Sequence, residues 1–212
     1  MKKYDFVIWD FNGTIFDDVD IGVESINALL KKRGLKVFSD REAYKNSFCF
    51  PIKKWYEELG FDFLAESYDN VAVQWIKEYL SREHKAGIYE GVREALSSYS
   101  NNGARQVIIS ASETGMLKRQ LCELGIYGLF DEVLGKDDIF ATGKEEIALK
   151  WRSQNKGRAL FIGDTDHDLA VAQAIGADCV LVSSGHQSFD RLTRLKNITP
   201  QVKIIQTIKE LL

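Results

Sequence analysis

The sequence predicts an α/β fold in which a parallel sheet core carries an inserted all-helical domain. Short apolar runs recur along the chain, and their composition is typical of strands that are covered on both faces. Segments with helical periodicity separate the later runs, which is the pattern of a parallel sheet with helices on both sides. From about residue 16 to residue 85 the chain shows helical patterns and no convincing strand, which indicates the insertion.

The predicted strands are nearly uninterrupted apolar runs. They are Phe6–Trp9, Val107–Ile109, Leu160–Ile162 and Cys179–Val182, with Val133–Leu134 as a short addition. The helical stretches after the second and third of these runs end at Gly125 and Gly176, and a glycine at that place is a common helix stop. Strand and helix therefore alternate through this part of the chain.

The inserted stretch is predicted to hold helices over residues 21–32, 40–47, 52–59 and 64–83. Its aromatic residues recur at helical spacing, which is typical of the core of a helical bundle. An all-helical insertion after the first strand has the position of a lid over the sheet edge. We therefore predict a core domain of residues 1–16 and 87–212 and a cap domain of residues 17–86.

Composition excludes several functional classes. The chain has 212 residues and a formal net charge of −3, so no positive field attracts it to nucleic acid. No apolar run approaches the ~20 residues of a membrane span, and the first residues run into a strand without a secretory apolar region. The three cysteines are scattered, which argues against a disulfide framework and for a reducing compartment. We expect a cytoplasmic protein that is a monomer or a weak homodimer.

Polar side chains follow the ends of the predicted strands. Asp10 ends the first run and Ser110 the second, Lys144 opens a helix, and Asp164 and Asp168 follow the third run. Taken alone, each has a simpler explanation as a helix cap, a turn residue or a surface lysine. Together they lie at the sheet edge where open α/β sheets bind ligands. Carboxylates suit a magnesium ion, and a hydroxyl and an ammonium suit phosphoryl oxygens, so this edge is predicted to bind both.

The chain resembles the haloacid dehalogenase-like hydrolase superfamily over essentially its whole length. Asp10-Phe11-Asn12-Gly13-Thr14 matches the first motif of that superfamily, Ser110 the second, Lys144 the third, and Gly163-Asp164-Thr165-Asp166-His167-Asp168 the fourth. The helical insertion lies where the phosphoglycolate phosphatase and β-phosphoglucomutase branch carries a helical cap. The resemblance implies a Rossmann-like core and a magnesium-dependent phosphatase that acts on a small phosphorylated metabolite, with neither nucleic acid nor membrane as partner.

The resemblance also implies a magnesium site. Asp10 would be the nucleophile that forms an aspartyl-phosphate, and it would ligate Mg²⁺ together with Asp164 and the backbone carbonyl of Asn12. Asp168 would complete the metal site by orienting Asp164 or a water molecule.

The phosphoryl group has its own set of residues in the resemblance. Ser110, Ala111 and Lys144 would hold the transferring phosphoryl group. Gly13 and Thr14 would form the turn whose amides face the phosphate.

Asn12 departs from the superfamily pattern. Most phosphatases of the superfamily carry an Asp there, which protonates the leaving oxygen and then deprotonates the attacking water. An amide can do neither, and general acid–base assistance is typically worth ~10²–10⁴-fold. Three explanations fit Asn12 at this catalytic position: a slow or specialised phosphatase, which we favour, a protein that binds phosphorylated compounds with little turnover, or an engineered Asp→Asn replacement.

Substrate choice is expected to come from the cap. The candidate segment is residues 44–53, with Lys45, Lys53 and Lys54 as partners for an anionic substrate, although a solvated helix face explains any one of them more simply. The stretch 185–188, after the last predicted strand, is expected to border the entrance. The sequence does not choose between phosphoglycolate and a sugar phosphate.

Overall fold

The structure is a computed structural model that describes residues 4–138 and 143–212. Its centre is a six-stranded sheet in the order β3-β2-β1-β4-β5-β6, and every described pair of neighbouring strands is parallel. The strands are β1 (Phe6–Trp9), β2 (Arg105–Glu113), β3 (Glu132–Lys136), β4 (Ala159–Gly163), β5 (Asp178–Val182) and β6 (Lys203–Ile205). This is a doubly wound order whose direction reverses at β1, and such a reversal opens a crevice at the carboxyl ends of the strands.

The helices fall into an inserted group and a group that alternates with strands. They are α1 (Val19–Lys32), α2 (Arg41–Ser47), α3 (Ile52–Glu58), α4 (Tyr68–Leu80), α5 (Val92–Asn101), α6 (Thr114–Glu123), α7 (Glu145–Gln154), α8 (Asp166–Ala174) and α9 (Phe189–Arg194). The first five lie between β1 and β2, and α1 to α4 of these form the predicted insertion. Helices α6, α7 and α8 follow the predicted alternation, whereas α5 and α9 were not predicted. The fold class predicted from the sequence is confirmed.

Both faces of the central strands are buried. Along β1, Val7 and Trp9 belong to one hydrophobic cluster, whereas Phe6 and Ile8 belong to the other. On the second face the ring of Trp151 from α7 meets Phe6 edge-to-face with centroids 5.0 Å apart. Burial on both sides explains why the strands read as continuous apolar runs.

The inserted helices have a core of their own. It includes Ile26 and Leu29 from α1 and Trp55 and Tyr56 from α3, all of them buried. The aromatic residues therefore pack in a helical core, as their spacing predicted. The domain limits, residues 1–16 and 87–212 for the core and 17–86 for the cap, stay a prediction. Residues 1–3 and 139–142 of the core lie outside the described part of the chain.

The insertion is tied to the sheet through α2 and the loop of residues 183–188 that follows β5. Lys45 Nζ donates to the Ser183 carbonyl at 2.8 Å, and Ser188 Oγ donates to Asn46 Oδ1 at 2.6 Å. Further hydrogen bonds join Arg41 to the Ser184 carbonyl and Gln187 to the Phe48 carbonyl.

Several elements differ from the sequence prediction; β2, for example, is longer than the predicted run of residues 107–109. The helix predicted over residues 64–83 begins only at Tyr68, because Ser67 caps it by accepting from the Asn70 amide, and Leu64 is fully exposed. The last strand, β6, was not predicted, since its three residues are too few for a recognisable pattern. None of the described helices is both long enough and apolar enough to cross a membrane.

Candidate active site

The sequence-predicted site residues converge at the carboxyl edge of the sheet. Asp10 follows β1, Ser110 lies in β2, Lys144 precedes α7, Asp164 follows β4, and Asp168 lies in the first turn of α8. All five are buried, and all five line one cavity of about 160 Å³. The parallel strands bring together residues that are up to 158 positions apart, counting from Asp10 to Asp168 (168 − 10).

Lys144 is held between two carboxylates. Its ammonium forms a short ion pair with Asp10 and lies 2.6 Å from Asp168 Oδ1. Burial alone would lower the pKa of Lys144, but the charges of Asp10 and Asp168 outweigh it and raise that pKa above its usual range. Burial raises the pKa of Asp10 to about 6, although Lys144 opposes this shift. The lysine is therefore charged at neutral pH and points at the predicted nucleophile.

Asp164 is positioned by backbone and side-chain donors. Its Oδ1 accepts from the Thr14 hydroxyl at 3.1 Å, and its Oδ2 accepts from the His186 amide at 2.6 Å. A Cβ at Gly13 or Gly185 would lie 2.3 Å from Asp164 Oδ2, so the carboxylate fits only because both positions are glycine. Burial, with the nearby charges of other acids, raises the pKa of Asp164 well above its ordinary value.

Asp168 holds the loop that presents Asp164. Its Oδ2 accepts from the amides of Asp164 and Thr165, at 3.0 and 2.9 Å, and from the Thr165 hydroxyl at 2.7 Å. Thr165 in turn caps α8 and accepts from the Asp168 amide. Burial would raise the pKa of Asp168, but Lys144 and these donors hold it below its usual range. These contacts agree with the alternative in which Asp168 orients Asp164.

The acidic cluster fits a magnesium ion. Asp10, Asp164 and Asp168 each offer one carboxylate oxygen within 4.8 Å of the others. Opposite ligands of octahedral Mg²⁺ lie about 4.2 Å apart, twice its 2.0–2.1 Å bond length, so the cluster has the right scale. A divalent cation would also relieve the crowding of negative charge that raises the pKa of Asp164.

Asn12 is embedded in a hydrogen-bond network that uses both ends of its amide. Its Nδ2 donates to Asp18 Oδ2 at 2.7 Å and to the Tyr79 hydroxyl at 2.9 Å, and its Oδ1 accepts from the Ser112 hydroxyl at 2.8 Å. The Tyr79 hydroxyl donates to the same Asp18 oxygen at 2.7 Å. A carboxylate at position 12 would face the Asp18 carboxylate at this distance, so the network matches the amide.

Asp18 and His186 form a buried pair that the sequence analysis did not identify. Asp18 was assigned only to the start of the cap, yet it is 1% exposed and lies 3.3 Å from His186 Nε2. Burial would raise the pKa of Asp18, but His186 and the hydrogen-bond donors keep it low; Asp18 correspondingly raises the pKa of His186 against the effect of burial. The Tyr44 hydroxyl contacts His186 Nδ1 at 2.9 Å. In the sequence, the only signal for a role of Asp18 was that two acids, Asp17 and Asp18, follow each other.

His167 was also given no role from the sequence. It lines the cavity, and its ring stacks on Phe50 with centroids 4.6 Å apart. Burial lowers the pKa of His167. No sequence pattern around this residue distinguishes it from an exposed loop histidine.

The amides of Gly13 and Thr14, which the resemblance predicts to face the phosphate, have acceptors inside the turn. The Gly13 amide donates to the Phe16 carbonyl at 2.9 Å and to Asp18 Oδ1 at 2.8 Å, and the Thr14 amide donates to the Phe11 carbonyl at 3.3 Å. The tight turn therefore uses these donors internally, and their contact with a phosphate stays a prediction. Thr14 also donates its hydroxyl to Asp164, and Gly13 leaves room for the Asp164 carboxylate.

Ser110 and Ala111 line the cavity beside Asp10 and Lys144. The Ser110 hydroxyl accepts from the Ser112 amide at 3.1 Å, which fixes its oxygen near the end of β2. Their contact with a phosphoryl group stays a prediction.

The cap lysines do not line the cavity. Lys45 is bound to Ser183, Lys53 lies over the Phe63 ring at 5.7 Å, and Lys54 pairs with Glu58 at 3.8 Å. The expectation that these lysines meet an anionic substrate finds no support in this geometry. The segment 44–53 does contribute to the lining, through Tyr44, Phe48, Phe50 and Ile52.

Comparison with known proteins shows the family of the chain. A profile of the haloacid dehalogenase-like hydrolase family matches residues 7–182. The chain belongs to this family. Phosphatases of the family generally use Mg²⁺, and the chain carries an acidic cluster suited to it.

Curated relatives are phosphatases. A phosphoglycolate phosphatase from Pseudomonas fluorescens is 24% identical over 192 residues, which cover 85% of this chain and 70% of the relative. The probable phosphatase IndB from Dickeya dadantii is 24% identical over 212 residues, covering 96% and 90% of the two chains.

Solved structures share the fold. Protein tyrosine kinase A from Mycobacterium tuberculosis superposes with a TM-score of 0.80 at 24% identity, covering 100% of this chain and 97% of that one. A predicted phosphatase from Clostridium acetobutylicum gives a TM-score of 0.74 at 22% identity, covering 98% of this chain and 96% of that one. Since one of these proteins is named a kinase and the other a phosphatase, the fold alone does not determine the reaction.

Proposed function

We propose that the protein is a magnesium-dependent phosphatase that hydrolyses a small phosphomonoester through an aspartyl-phosphate on Asp10. The observation that carries the proposal is the convergence of Asp10, Lys144 and Asp164 in one buried cavity at the end of β1. The names of the curated relatives support it.

The reaction has two steps. An Asp10 carboxylate oxygen attacks phosphorus, the ester P–O bond breaks, and the leaving oxygen takes a proton and departs as an alcohol. Water then attacks the phosphorus, the bond from phosphorus to Asp10 breaks, and inorganic phosphate leaves. Asp10 returns to its carboxylate, and the proton lost by water balances the one taken by the alcohol.

The surrounding residues stabilise the charge that moves in these steps. Lys144 and Ser110 hold the phosphoryl oxygens, and the pairing of Lys144 with Asp10 already places the ammonium beside the attacking group. Asp10, Asp164 and the Asn12 carbonyl would hold Mg²⁺, with Asp168 positioning Asp164, and the bound ion would supply Lewis-acid stabilisation.

Asn12 sets the expected substrate reactivity. Its amide hydrogen-bonds to Asp18 and Tyr79 but transfers no proton, so the leaving oxygen has no carboxylic acid at this position. Esters with a weakly basic leaving group are therefore expected to react faster than alkyl esters. The same residue favours a second candidate, a protein that binds a phosphorylated metabolite with little turnover.

Phosphate release from acetyl phosphate tests the proposal, because its leaving group needs little acid assistance. Wild type should release phosphate with Mg²⁺ and not with a chelator, and intact-mass analysis of quenched samples should show one added phosphoryl group. Asp10→Asn should lower the rate by at least about 10³-fold. Asp17→Asn is the matched control, since that side chain is 42% exposed.

Two results would separate the candidates. Equal phosphate release by wild type and Asp10→Asn would overturn the proposal. Stabilisation against thermal unfolding by phosphate compounds and Mg²⁺, without any phosphate release, would support the binding function instead.

A further inference from the structure

The cavity has two chemically different ends. The end at the sheet carries the acidic cluster and Lys144. The other end lies in the insertion and is lined by aromatic and aliphatic side chains, namely Phe50, Trp55, Tyr56, Tyr68, Trp75 and Ile76. Because one continuous cavity joins both ends, a substrate with its phosphoryl group at Asp10 extends its leaving group into the apolar end.

Charge at the apolar end does not suit a second anion. Among the described lining residues Lys144 is the single Lys or Arg, and it is already paired with Asp10 and Asp168. Two further carboxylates line the cavity: Asp18, and Glu113, which caps α6 by accepting from the Gly115 and Met116 amides at 2.7 Å.

The lining histidines do not change this conclusion. His186 is paired with Asp18, and His167 is stacked on Phe50. A carboxylate on the leaving group would therefore be buried beside acids without a free cation, which is strongly unfavourable.

Two of the tyrosine hydroxyls that line the cavity already have partners. The Tyr44 hydroxyl contacts His186, and the Tyr79 hydroxyl donates to Asp18. A polyhydroxylated leaving group such as a sugar would have to compete with these bonds for its own partners. Aromatic rings, in contrast, offer broad faces on which a planar group stacks.

The size of the cavity limits the leaving group. The whole cavity measures about 160 Å³, and an apolar cavity of ~150 Å³ in another protein holds one benzene molecule. A compact substrate with at most one small ring is therefore the right order of size, and a long chain is not.

We propose that the substrate is a phosphomonoester of a small aromatic alcohol that carries no second anionic group, and that the apolar end of the cavity selects against phosphoglycolate. This inference rests on the proposed function, because it takes Asp10 as the phosphoryl end of the substrate.

The test compares esters whose leaving oxygens have similar basicity, so that differences report recognition. They are benzyl phosphate, 2-phosphoglycolate and glycerol phosphate, assayed with Mg²⁺. The kcat/KM for benzyl phosphate should exceed both others by at least about tenfold. A kcat/KM for phosphoglycolate that equals or exceeds the benzyl phosphate value would overturn the inference.

A binding arm keeps this inference distinguishable from the proposed function. Benzylphosphonate and phosphonoacetate are not hydrolysed, and calorimetry should show the former binding at least about tenfold more tightly. Failure to hydrolyse acetyl phosphate counts against the proposed function alone, whereas equal or reversed phosphonate affinities count against the aromatic substrate alone.

A positive charge placed in the apolar end should reduce the preference for benzyl phosphate over phosphoglycolate. Ile76→Lys adds a cation to the lining of α4, so the benzyl phosphate to phosphoglycolate ratio of kcat/KM should fall at least about tenfold. Val73→Lys is the control, since Val73 lies on the same helix, is 52% exposed and does not line the cavity. An unchanged ratio in Ile76→Lys, with the circular dichroism spectrum of the folded protein, would contradict the inference.

Discussion

The two ends of the cavity are held in different ways. At the sheet, each charged side chain is fixed by named hydrogen bonds or ion pairs, as Asp164 is by Thr14 and His186. In the insertion, the lining side chains are fixed by packing, as Trp75 is by the stacked ring of Tyr79 at 5.0 Å. Residue identity is therefore expected to determine the chemistry at the first end, whereas overall shape and polarity are expected to determine selection at the second.

The largest effect on stability is expected at the charged end. Lys144→Met leaves Asp10 and Asp168 buried without their cation, so the free energy of unfolding should fall by about 3–5 kcal/mol. Urea denaturation measures it. Lys54→Met removes an exposed pair and should cost about 1 kcal/mol or less. Similar losses in both variants would mean that the buried ion pairs of Lys144 contribute no more to the free energy of unfolding than the exposed pair of Lys54.

A smaller effect is expected on metal affinity. Gly185→Ala brings a Cβ within 2.3 Å of Asp164 Oδ2, and such misplacement of a ligand should weaken Mg²⁺ binding by about 10–100-fold. Gly87→Ala is the control, because nothing lies within 4 Å of its Cβ. Titration calorimetry measures both, and equal affinities in the two variants would contradict the assignment of Asp164.

Magnesium binding should also depend on pH. Burial raises the pKa of Asp10 to about 6, so below that pH a proton competes with the cation for the carboxylate. The rise in melting temperature caused by Mg²⁺ should therefore shrink as the pH falls from about 7.5 to about 5. If the increase in melting temperature caused by Mg²⁺ became larger as the pH falls, Asp10 would be excluded as a ligand.

The next effect concerns the network around Asn12. Asn12→Asp places a carboxylate at position 12 against the carboxylate of Asp18. The free energy of unfolding should therefore fall by about 1–2 kcal/mol. Asp18→Asn added to this variant should restore most of the loss, and a double-mutant cycle measures the coupling. Additive losses would show that Asn12 and Asp18 do not interact.

The smallest effect is expected from the cap lysines. Lys53→Ala should leave KM for any phosphomonoester within about twofold, because the side chain does not line the cavity. A tenfold rise in the KM for phosphoglycolate would instead show that Lys53 contacts the substrate.

Local pattern made the fold and the charged end predictable. Asp10 follows a four-residue apolar strand, and Asp164 and Asp168 share one short motif, so their placement depends on neighbouring sequence. Parallel strand order then brings their segments together without further information.

Long-range contacts were not predictable in the same way. Asp18 meets Tyr79 across 61 positions and His186 across 168, and no local pattern encodes such pairings. The acceptors of the Gly13 and Thr14 amides inside the turn, the carbonyls of Phe16 and Phe11, likewise become visible only in three dimensions. The apolar end of the cavity likewise depends on how α3 and α4 pack.

The hydrogen bonds between α2 and loop 183–188 have a mechanical consequence. That loop carries His186, whose amide holds Asp164, and its Ser183 carbonyl is bound by Lys45 of α2. Any displacement of α2 must either break these bonds or pull the loop along. As long as these hydrogen bonds hold, the position of Asp164 is therefore coupled to the position of the inserted helices.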